Sequence, residues 1–320
     1  MIFVNVKKSP GIKKAHSIWV DRIKELVDGR QIRDQNFIIK LALSSEIVCL
    51  PVHFFWLAAI RSTLGLRTVG VFHGFANMQH YSVIKYHLLK VAQWITWKTT
   101  QFHIYNSKLT LNTLMQQFGS EKKHNDYVIY PIRKSYKCSD QFTDKRQNIV
   151  YFGRMVAAKT VHLIIQKFKN SELKHSHNLI LAGGYMDKAV QSELNKLTND
   201  DQITYIGKYN GHLSLKRRLK NIGCDNGFFI SWNTQEPFGL VYQEAIELNL
   251  LPVFPIHIGF TEILKNSLAK QLSFSSLESA FSAIHKIPLE FNLQECKEPP
   301  ADDIQKFLNY TADDCVRAHN

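Results

Sequence analysis

The segment from residue 228 to residue 246 most constrains the fold, because its order predicts a buried strand, a polar turn and a helix. It reads Phe-Phe-Ile-Ser-Trp-Asn-Thr-Gln-Glu-Pro-Phe-Gly-Leu-Val-Tyr-Gln-Glu-Ala-Ile. We expect Pro237 and Gly239 in the first turn of the helix, where proline lacks only an N–H that would have no partner. Three residues at helical spacing predict the buried stripe: Val241, Ala245 and Leu248.

Two carboxylates, Glu236 and Glu244, flank the N-terminus of this predicted helix. Free N–H groups and the helix dipole attract phosphate at such a position. A carboxylate aimed at phosphate would repel it, so both side chains are expected to contact uncharged hydroxyls beside the phosphate. The alternative interpretation is an amphipathic helix with two solvated glutamates.

Apolar runs alternate with helical patterns along the rest of the chain, which predicts parallel βα units. Before residue 135 the predicted strands are 2–6, 37–43, 47–50, 67–73, 102–106 and 127–130, and the predicted helices are 15–27, 53–64, 81–99 and 108–118. After residue 147 the predicted strands are 148–152, 177–182, 203–206, 227–231 and 251–254. The helices predicted there are 161–169, 187–197, 213–222, the one beside Glu236 and one from Phe260.

The polar segment 135–147 is the predicted linker between two domains, residues 1–142 and 143–320. Each is expected to be a Rossmann-like, doubly wound α/β domain, with the last helix able to pack back on the first domain. The ligand is expected in the crevice between them, at the carboxyl ends of the strands.

The net charge of +13 predicts an anionic partner, such as nucleic acid, an anionic membrane surface or a phosphorylated substrate. Nucleic acid is the weakest of the three, because no homeodomain, zinc-finger or RNP pattern is present. The five scattered cysteines are odd in number and lack C-x-x-C spacing, which argues for a reducing cytoplasm and against a zinc site. No apolar run reaches the ~20 residues that a membrane span needs.

The segment Glu236-Pro-Phe-Gly-Leu-Val-Tyr-Gln-Glu244 resembles the E-x7-E signature of retaining glycosyltransferases of the GT-B fold, in the large family 4. A second segment, Tyr151-Phe-Gly-Arg-Met-Val-Ala-Ala-Lys159, is similar to the family's G-R-x4-K pattern. The resemblance implies that Gly153 frees the backbone while Arg154 and Lys159 bracket a diphosphate. The family usually has glycine where Thr160 stands, which leaves the shape of this loop open. The alternative interpretation is that both cations are ordinary surface residues.

Weaker matches complete the resemblance. Gly183 follows a strand in a segment that resembles the family's G-x-G turn, and Tyr209 belongs to one that resembles its F-x-G segment. In the first domain His73 precedes Gly74 and is similar to the family's sugar-contacting histidine. Only Gly11 matches the family's Gly-Gly loop, and the family's N-G pair is replaced by Ile132-Arg133. Asn106-Ser107 indicates a helix cap.

The resemblance implies a GT-B enzyme that transfers a sugar, with retention, from a UDP- or GDP-sugar to a glycan or lipid-linked glycan acceptor. Arg154 and Lys159 would stabilise the diphosphate as catalytic groups, and Glu244 would bind ribose hydroxyls. Glu236 and the main chain of three residues would hold the sugar, with His73 on its other side. Those three donor-binding residues are Phe238, Gly239 and Leu240.

No cofactor and no metal are expected, since the sequence has no D-x-D. The implied process is assembly of cell-surface polysaccharide or lipopolysaccharide in the cytoplasm, at the inner face of the membrane or free of it. Two alternatives stay open: a catalytically weak sugar-nucleotide-binding protein of the same fold, and a basic nucleic-acid-binding α/β protein.

The helix predicted at 81–99 has two interpretations. Its aromatic residues are interspersed with lysines, which is typical of a helix lying on a membrane surface: Tyr81, Tyr86, Trp94 and Trp97 with Lys85, Lys90 and Lys98. Together with the cluster Lys7, Lys8, Lys13 and Lys14, this predicts docking of the first domain on an anionic bilayer. Four aliphatic residues of the same helix predict instead a buried stripe and an ordinary core helix: Ile84, Leu88, Val91 and Ile95.

Overall fold

A computed structural model describes residues 1–4, 30–32, 39–78, 81–121, 125–132, 147–184, 186–196, 201–264, 266–287, 303 and 306–307. The chain divides into two compact units. The first comprises Met1–Arg133 with Glu298–Asn320, and the second comprises Lys134–Lys297. The division thus falls after Arg133, whereas the predicted boundary after residue 142 lies outside the described residues.

The first unit is built on a parallel sheet in the order β2-β1-β3-β4-β5-β6. Its strands are β1 (Ile2–Val4), β2 (Arg30–Ile32), β3 (Val48–Pro51), β4 (Thr68–Phe72), β5 (Phe102–Tyr105) and β6 (Asp126–Val128). Its described α-helices are α1 (Phe55–Thr63), α2 (Val83–Thr99) and α3 (Lys108–Phe118). Strands β3, β4 and β5 are buried at every position, as expected of a parallel sheet that is covered on both faces.

The carboxy-terminal segment contributes to the first unit. Phe307 is fully buried in the core cluster that contains Val71 and Ile104. The Asp303 carboxylate accepts a hydrogen bond of 3.1 Å from the Val128 N–H at β6. At α3 the predicted cap is confirmed, because the Ser107 hydroxyl oxygen accepts the N–H of Thr110 at 3.0 Å.

In the first unit one predicted strand is wrong, and one short strand was not predicted. The strand predicted at 37–43 is a 3-10 helix over its described part, Ile39–Leu43. The guanidinium of buried Arg61 donates hydrogen bonds to the carbonyl oxygens of Leu41, Ser44 and Glu46. These carbonyl groups therefore bond to a side chain and not to a neighbouring strand. Strand β2 was not predicted, because three residues without an apolar run carry no sequence signal.

Helix α2 turns its aliphatic stripe outward. Ile84 is 75% exposed, Leu88 66% and Val91 53%, whereas Ile95 is half-buried, so the prediction that this stripe is buried is wrong for three of its four residues. The buried side of the helix carries instead Ala92, Gln93, Thr96 and Trp97.

Hydrogen bonds of Gln93 hold the buried side of α2, which carries both apolar and polar residues, against the rest of the unit. Its amide oxygen accepts the Ala76 N–H at 3.1 Å, and its amide nitrogen donates to the Gly74 carbonyl at 2.8 Å. Both bonds hold the loop that follows β4. Turning the aliphatic side of α2 inward would break both hydrogen bonds, so the observed orientation keeps the buried polar groups satisfied.

The second unit has a parallel sheet in the order β12-β11-β10-β7-β8-β9. Its strands are β7 (Asn148–Arg154), β8 (Asn178–Gly184), β9 (Ile203–Tyr205), β10 (Gly227–Ile230), β11 (Leu250–Pro255) and β12 (Ser273–Phe274). Its described α-helices are α4 (Val161–Lys169), α5 (Lys188–Asn195), α6 (His212–Asn221), α7 (Leu240–Glu247), α8 (Asn266–Leu272) and α9 (Leu277–Ala283). The helix predicted from Phe260 is a 3-10 turn, Gly259–Ile263, because Leu264 is extended and ends it before α8.

The order of the second sheet indicates where a ligand is expected. From β7 the chain moves outward to β8 and β9, then returns to the other side of β7 as β10. The loops after β7 and β10 therefore diverge at a topological switch point, the usual ligand position in doubly wound sheets. The predicted fold class, α/β with two parallel sheets, is confirmed. No helix among the described residues is long and apolar enough to cross a bilayer.

Candidate functional site

Two charged side chains meet at the carboxyl edge of the second sheet. Lys159 ends the 3-10 turn Ala157–Lys159 after β7, and Glu236 lies in the loop after β10, 77 positions later. The Lys159 ammonium donates a charged hydrogen bond to Glu236 Oε2, and the Asn233 amide donates to the same oxygen at 3.0 Å. The side chains are 18% and 19% exposed, so a ligand can reach the pair.

Thr160 gives the loop after β7 the shape that a glycine ordinarily takes. Its φ of 54° lies in the left-handed region, which residues other than glycine seldom adopt. The hydroxyl donates to the Trp232 carbonyl at 2.5 Å, which ties this loop to the end of β10. The threonine in place of the family's usual glycine therefore keeps a left-handed loop and adds a bond between the two loops.

Two glycines shape the loop that carries Glu236. Gly239, with φ of 96°, precedes α7, so the prediction that Pro237 and Gly239 lie in its first turn is wrong: that φ does not fit a right-handed helix. A Cβ at Gly239 would lie 2.5 Å from the Tyr242 ring. A Cβ at Gly259 would lie 2.1 Å from the Pro237 carbonyl oxygen. A side chain at Gly239 would therefore displace the Tyr242 ring, and one at Gly259 would displace the backbone of the Glu236 loop.

The buried phenol of Tyr151 lies beneath these charges. Its hydroxyl donates to the Arg154 carbonyl at 2.6 Å. Burial raises the pKa of Tyr151 far above its usual value; Tyr209 and Glu236 raise it further, and the Arg154 cation lowers it. All three groups therefore lie within electrostatic range of one phenol, although Arg154 itself points to solvent.

The second carboxylate of the E-x7-E pair lies within electrostatic range of Tyr209. Burial, followed by the charge of Glu244, raises the pKa of Tyr209 to about 12. The Tyr209 ring packs edge-on against Phe152 of β7, with ring centroids 6.5 Å apart. Glu244 and Tyr209, both predicted to bind the donor, therefore lie within electrostatic range of each other.

Other predicted donor-binding residues have structural roles in this unit. A Cβ at Gly183 would lie 2.0 Å from the Gly153 carbonyl oxygen, so only glycine permits this approach of β7 and β8. Gly183 also donates its N–H to Gly207 and accepts a hydrogen bond from the Tyr205 hydroxyl at 2.7 Å. The Phe238 ring is buried, whereas Leu240 is half-buried at the start of α7. Their contacts with a donor stay predictions.

In the first unit, His73 directly follows β4. Its ring stacks on His53, with centroids 5.7 Å apart and planes 3° from parallel. Burial, followed by His53, lowers the pKa of His73 to about 4, so the imidazole is neutral near pH 7. Gly11 lies outside the described residues.

Sequence reasoning missed Asn233, Gly259 and His53. Asn233 follows β10 by three positions and could have been found as a polar residue at the end of a buried strand. Gly259 and His53 gave no signal, since their roles depend on contacts made by distant segments. Within the described ranges, no group of three or more His, Cys, Asp or Glu side chains is placed to hold a metal.

The part of the chain that contains this site matches a known protein family. Residues 133–282 match the family described as glycosyl transferases group 1, a match that spans most of the second unit. It includes Arg154, Lys159, Glu236 and Glu244. No curated protein shows significant similarity to the chain.

Solved structures of similar fold match almost the whole chain. HepE from Anabaena in complex with UDP-glucose is 14% identical over 98% of this chain and 100% of its own, with a TM-score of 0.68. HepE in complex with UDP is 15% identical over 99% of each chain, with a TM-score of 0.65. The lipopolysaccharide outer core galactosyltransferase WaaB in its apo form is 12% identical over 97% and 99%, with a TM-score of 0.64. At these identities the likeness establishes the fold.

Proposed function

We propose that the protein is a retaining glycosyltransferase that moves a sugar from a nucleoside-diphosphate sugar to an acceptor hydroxyl. The observation that carries the proposal is the contact between Lys159 and Glu236. This contact brings together a cation that can bind a diphosphate and a carboxylate that can bind hydroxyl groups. Both lie at the topological switch point of the second sheet, where the loops after β7 and β10 diverge. The family match over residues 133–282 supports the glycosyltransferase part of this proposal.

Each charged side chain has a role that its surroundings favour. Lys159 and the exposed Arg154 neutralise the diphosphate, whose negative charge grows as its bond to the sugar breaks. Glu236, oriented by Asn233, accepts hydrogen bonds from sugar hydroxyls. Glu244 accepts them from the ribose. The N-terminus of α7 adds a positive dipole end, and Gly239 offers no side chain that would cover it.

For His73, in the first unit, we propose the role that the resemblance implies, which is contact with the transferred sugar. Because its pKa is about 4, the ring is neutral in the physiological range and can donate one hydrogen bond and accept another. That capacity suits a sugar hydroxyl and does not suit a phosphate. No protein nucleophile is proposed: the leaving phosphate takes the acceptor proton on the face where the new bond forms.

The donor and the acceptor are proposed from fold likeness. The structures of HepE contain UDP-glucose or UDP, which favours a UDP-sugar over a GDP-sugar. WaaB is a lipopolysaccharide galactosyltransferase, which favours a glycan or lipid-linked glycan acceptor in cell-surface polysaccharide or lipopolysaccharide assembly.

A thermal-shift panel with UDP, GDP, ADP, CDP and their sugars tests the donor. A ligand at ~100 times its Kd stabilises a protein by about 2.7 kcal/mol. We expect stabilisation by one nucleotide family, followed by release of that nucleoside diphosphate when a glycan acceptor is added. Stabilisation without release would favour a sugar-nucleotide-binding protein, and a flat panel would refute the donor site.

A further inference from the structure

We propose that helix α2 and its surroundings form a docking surface for an anionic phospholipid bilayer. The proposal is independent of transferase activity, because it rests on the exposed side of one helix in the first unit. We call this surface the α2 face and define it by Ile84, Leu88, Val91 and Trp94 with the flanking Lys85, Lys90 and Lys98.

The α2 face is apolar where a soluble helix is normally polar. Ile84 is 75% exposed, Leu88 66%, Val91 53% and Trp94 46%. These residues follow one another at intervals of four, three and three, so they lie along one side of the helix. The opposite side carries Gln93 and Thr96, which are buried. In an ordinary amphipathic helix the apolar side packs on the core and the polar side faces solvent. In α2 the aliphatic side faces solvent and polar residues are buried.

Helix α1, which packs against α2, adds further exposed apolar groups. On α1 Trp56 is 41% exposed and Ile60 43%, and Leu64, directly after the helix, is 50% exposed. Soluble monomers seldom present so many large apolar side chains on two adjacent helices. Tryptophan on both helices suits the boundary between head groups and acyl chains, where one part of the ring is apolar and another is wet.

The charge of this region selects an anionic occupant. The sequence contains no Asp or Glu between Glu46 and Glu121, and the 74 intervening residues contain six Lys and Arg. At 100° per residue, Lys85 and Lys90 fall on opposite sides of the apolar stripe. Both can extend their ammonium groups toward head groups while the stripe enters the acyl region.

A second copy of the chain fits this surface poorly. Two copies related by a two-fold axis bring the same patch together, so the lysines of one would face the lysines of the other. With no carboxylate in the intervening sequence, nothing there would compensate that repulsion. A lipid surface rich in phosphate avoids the conflict.

Sedimentation of the full chain with vesicles tests the proposal. We expect binding to phosphatidylglycerol-containing vesicles at low salt, weaker binding at high salt, and little binding to phosphatidylcholine alone. The double variant Ile84→Gln/Leu88→Gln should bind at least about tenfold more weakly, the scale for removing buried aliphatic side chains. Leu213→Gln is the matched control, since Leu213 is 72% exposed on α6 of the second unit and should have no effect.

Charge and depth are tested separately. Lys85→Glu/Lys90→Glu should lose the salt-sensitive part of binding, whereas Lys216→Glu on α6 should not. Brominated lipids should quench the fluorescence of the wild type more than that of Trp94→Phe, because the Trp94 ring would lie at bilayer depth. Melting temperatures close to that of the wild type would show that the variants fold.

Three results would overturn the proposal. The first is no binding to anionic vesicles at low salt. The second is binding that Ile84→Gln/Leu88→Gln retains or that Leu213→Gln loses equally. The third is a dimer in light scattering that this double variant converts to a monomer, without vesicle binding, which would make a second copy the occupant.

Discussion

Replacing Lys159 with Met tests the proposed site most directly. The change keeps an unbranched apolar stem of similar length and removes the ammonium that donates to Glu236 Oε2. Glu236 keeps its hydrogen bond of 3.0 Å from Asn233, so the loop after β10 retains one anchor. We therefore expect the variant to fold.

Two different magnitudes follow from the loss of one charge. A hydrogen bond between charged groups contributes about 1.5–3 kcal/mol, and the exposure of this pair, near one-fifth for each side chain, reduces it. We expect a loss of about 1 kcal/mol in the free energy of unfolding. A donor aimed at charge that grows in the transition state is worth about 10²–10³ in kcat, so the loss in turnover should be much larger.

The assay compares unfolding by urea with steady-state release of nucleoside diphosphate, for Lys159→Met, Glu236→Gln and the double variant. Coupling of about 1 kcal/mol in the unfolding cycle would report the ion pair. Lys167→Met is the matched control: Lys167 pairs with Glu278 at the surface, with side chains 42% and 59% exposed, and neither readout should change. Full turnover in Lys159→Met would refute the assignment of this lysine to the diphosphate.

Three further results are expected. Gly259→Ala should weaken donor binding and lower the melting temperature, because its Cβ would lie 2.1 Å from the Pro237 carbonyl oxygen; an unchanged donor Kd would contradict this. Glu244→Gln should weaken donor binding by about 1–3 kcal/mol in calorimetry and lower the pKa of Tyr209 from about 12, whereas a wild-type Kd would remove the ribose role. The pKa of His73 is 6.5 in the unfolded chain and about 4 in the folded protein. Between these two pH values the unfolded chain binds a proton at His73 and the folded protein does not, so lowering the pH favours unfolding. Going from pH 7 to pH 4.5 should therefore cost the wild type about 2 kcal/mol more than His73→Asn in urea unfolding, and equal losses would contradict the lowered pKa of His73.

The sequence alone determined the alternation of strands and helices. Buried parallel strands are short apolar runs, and the helices between them carry a periodic stripe, so both signals are local. The second unit follows the prediction closely for this reason: the predicted helix 161–169 has the bounds of α4. Lys159 and Glu236 could be named in advance because their segments resemble the G-R-x4-K and E-x7-E patterns of a known family.

Local sequence patterns could not predict contacts between residues that are far apart in the chain. The segment 37–43, expected as a strand, is a 3-10 helix over its described part. There the guanidinium of Arg61, 20 positions after Leu41, donates a hydrogen bond to the Leu41 carbonyl oxygen. The need for glycine at residue 259 exists only because the loop containing Pro237 passes within van der Waals distance. Neither fact has a signature in the residues nearby.

Helix α2 shows the limit of periodicity most clearly. The spacing of Ile84, Leu88 and Val91 defined an apolar side of the helix, and the sequence determined that much. Which side meets the sheet was decided by Gln93, through hydrogen bonds to the loop after β4. A hydrophobic pattern states that a surface prefers to leave water, and only the tertiary structure shows whether the chain itself covers it.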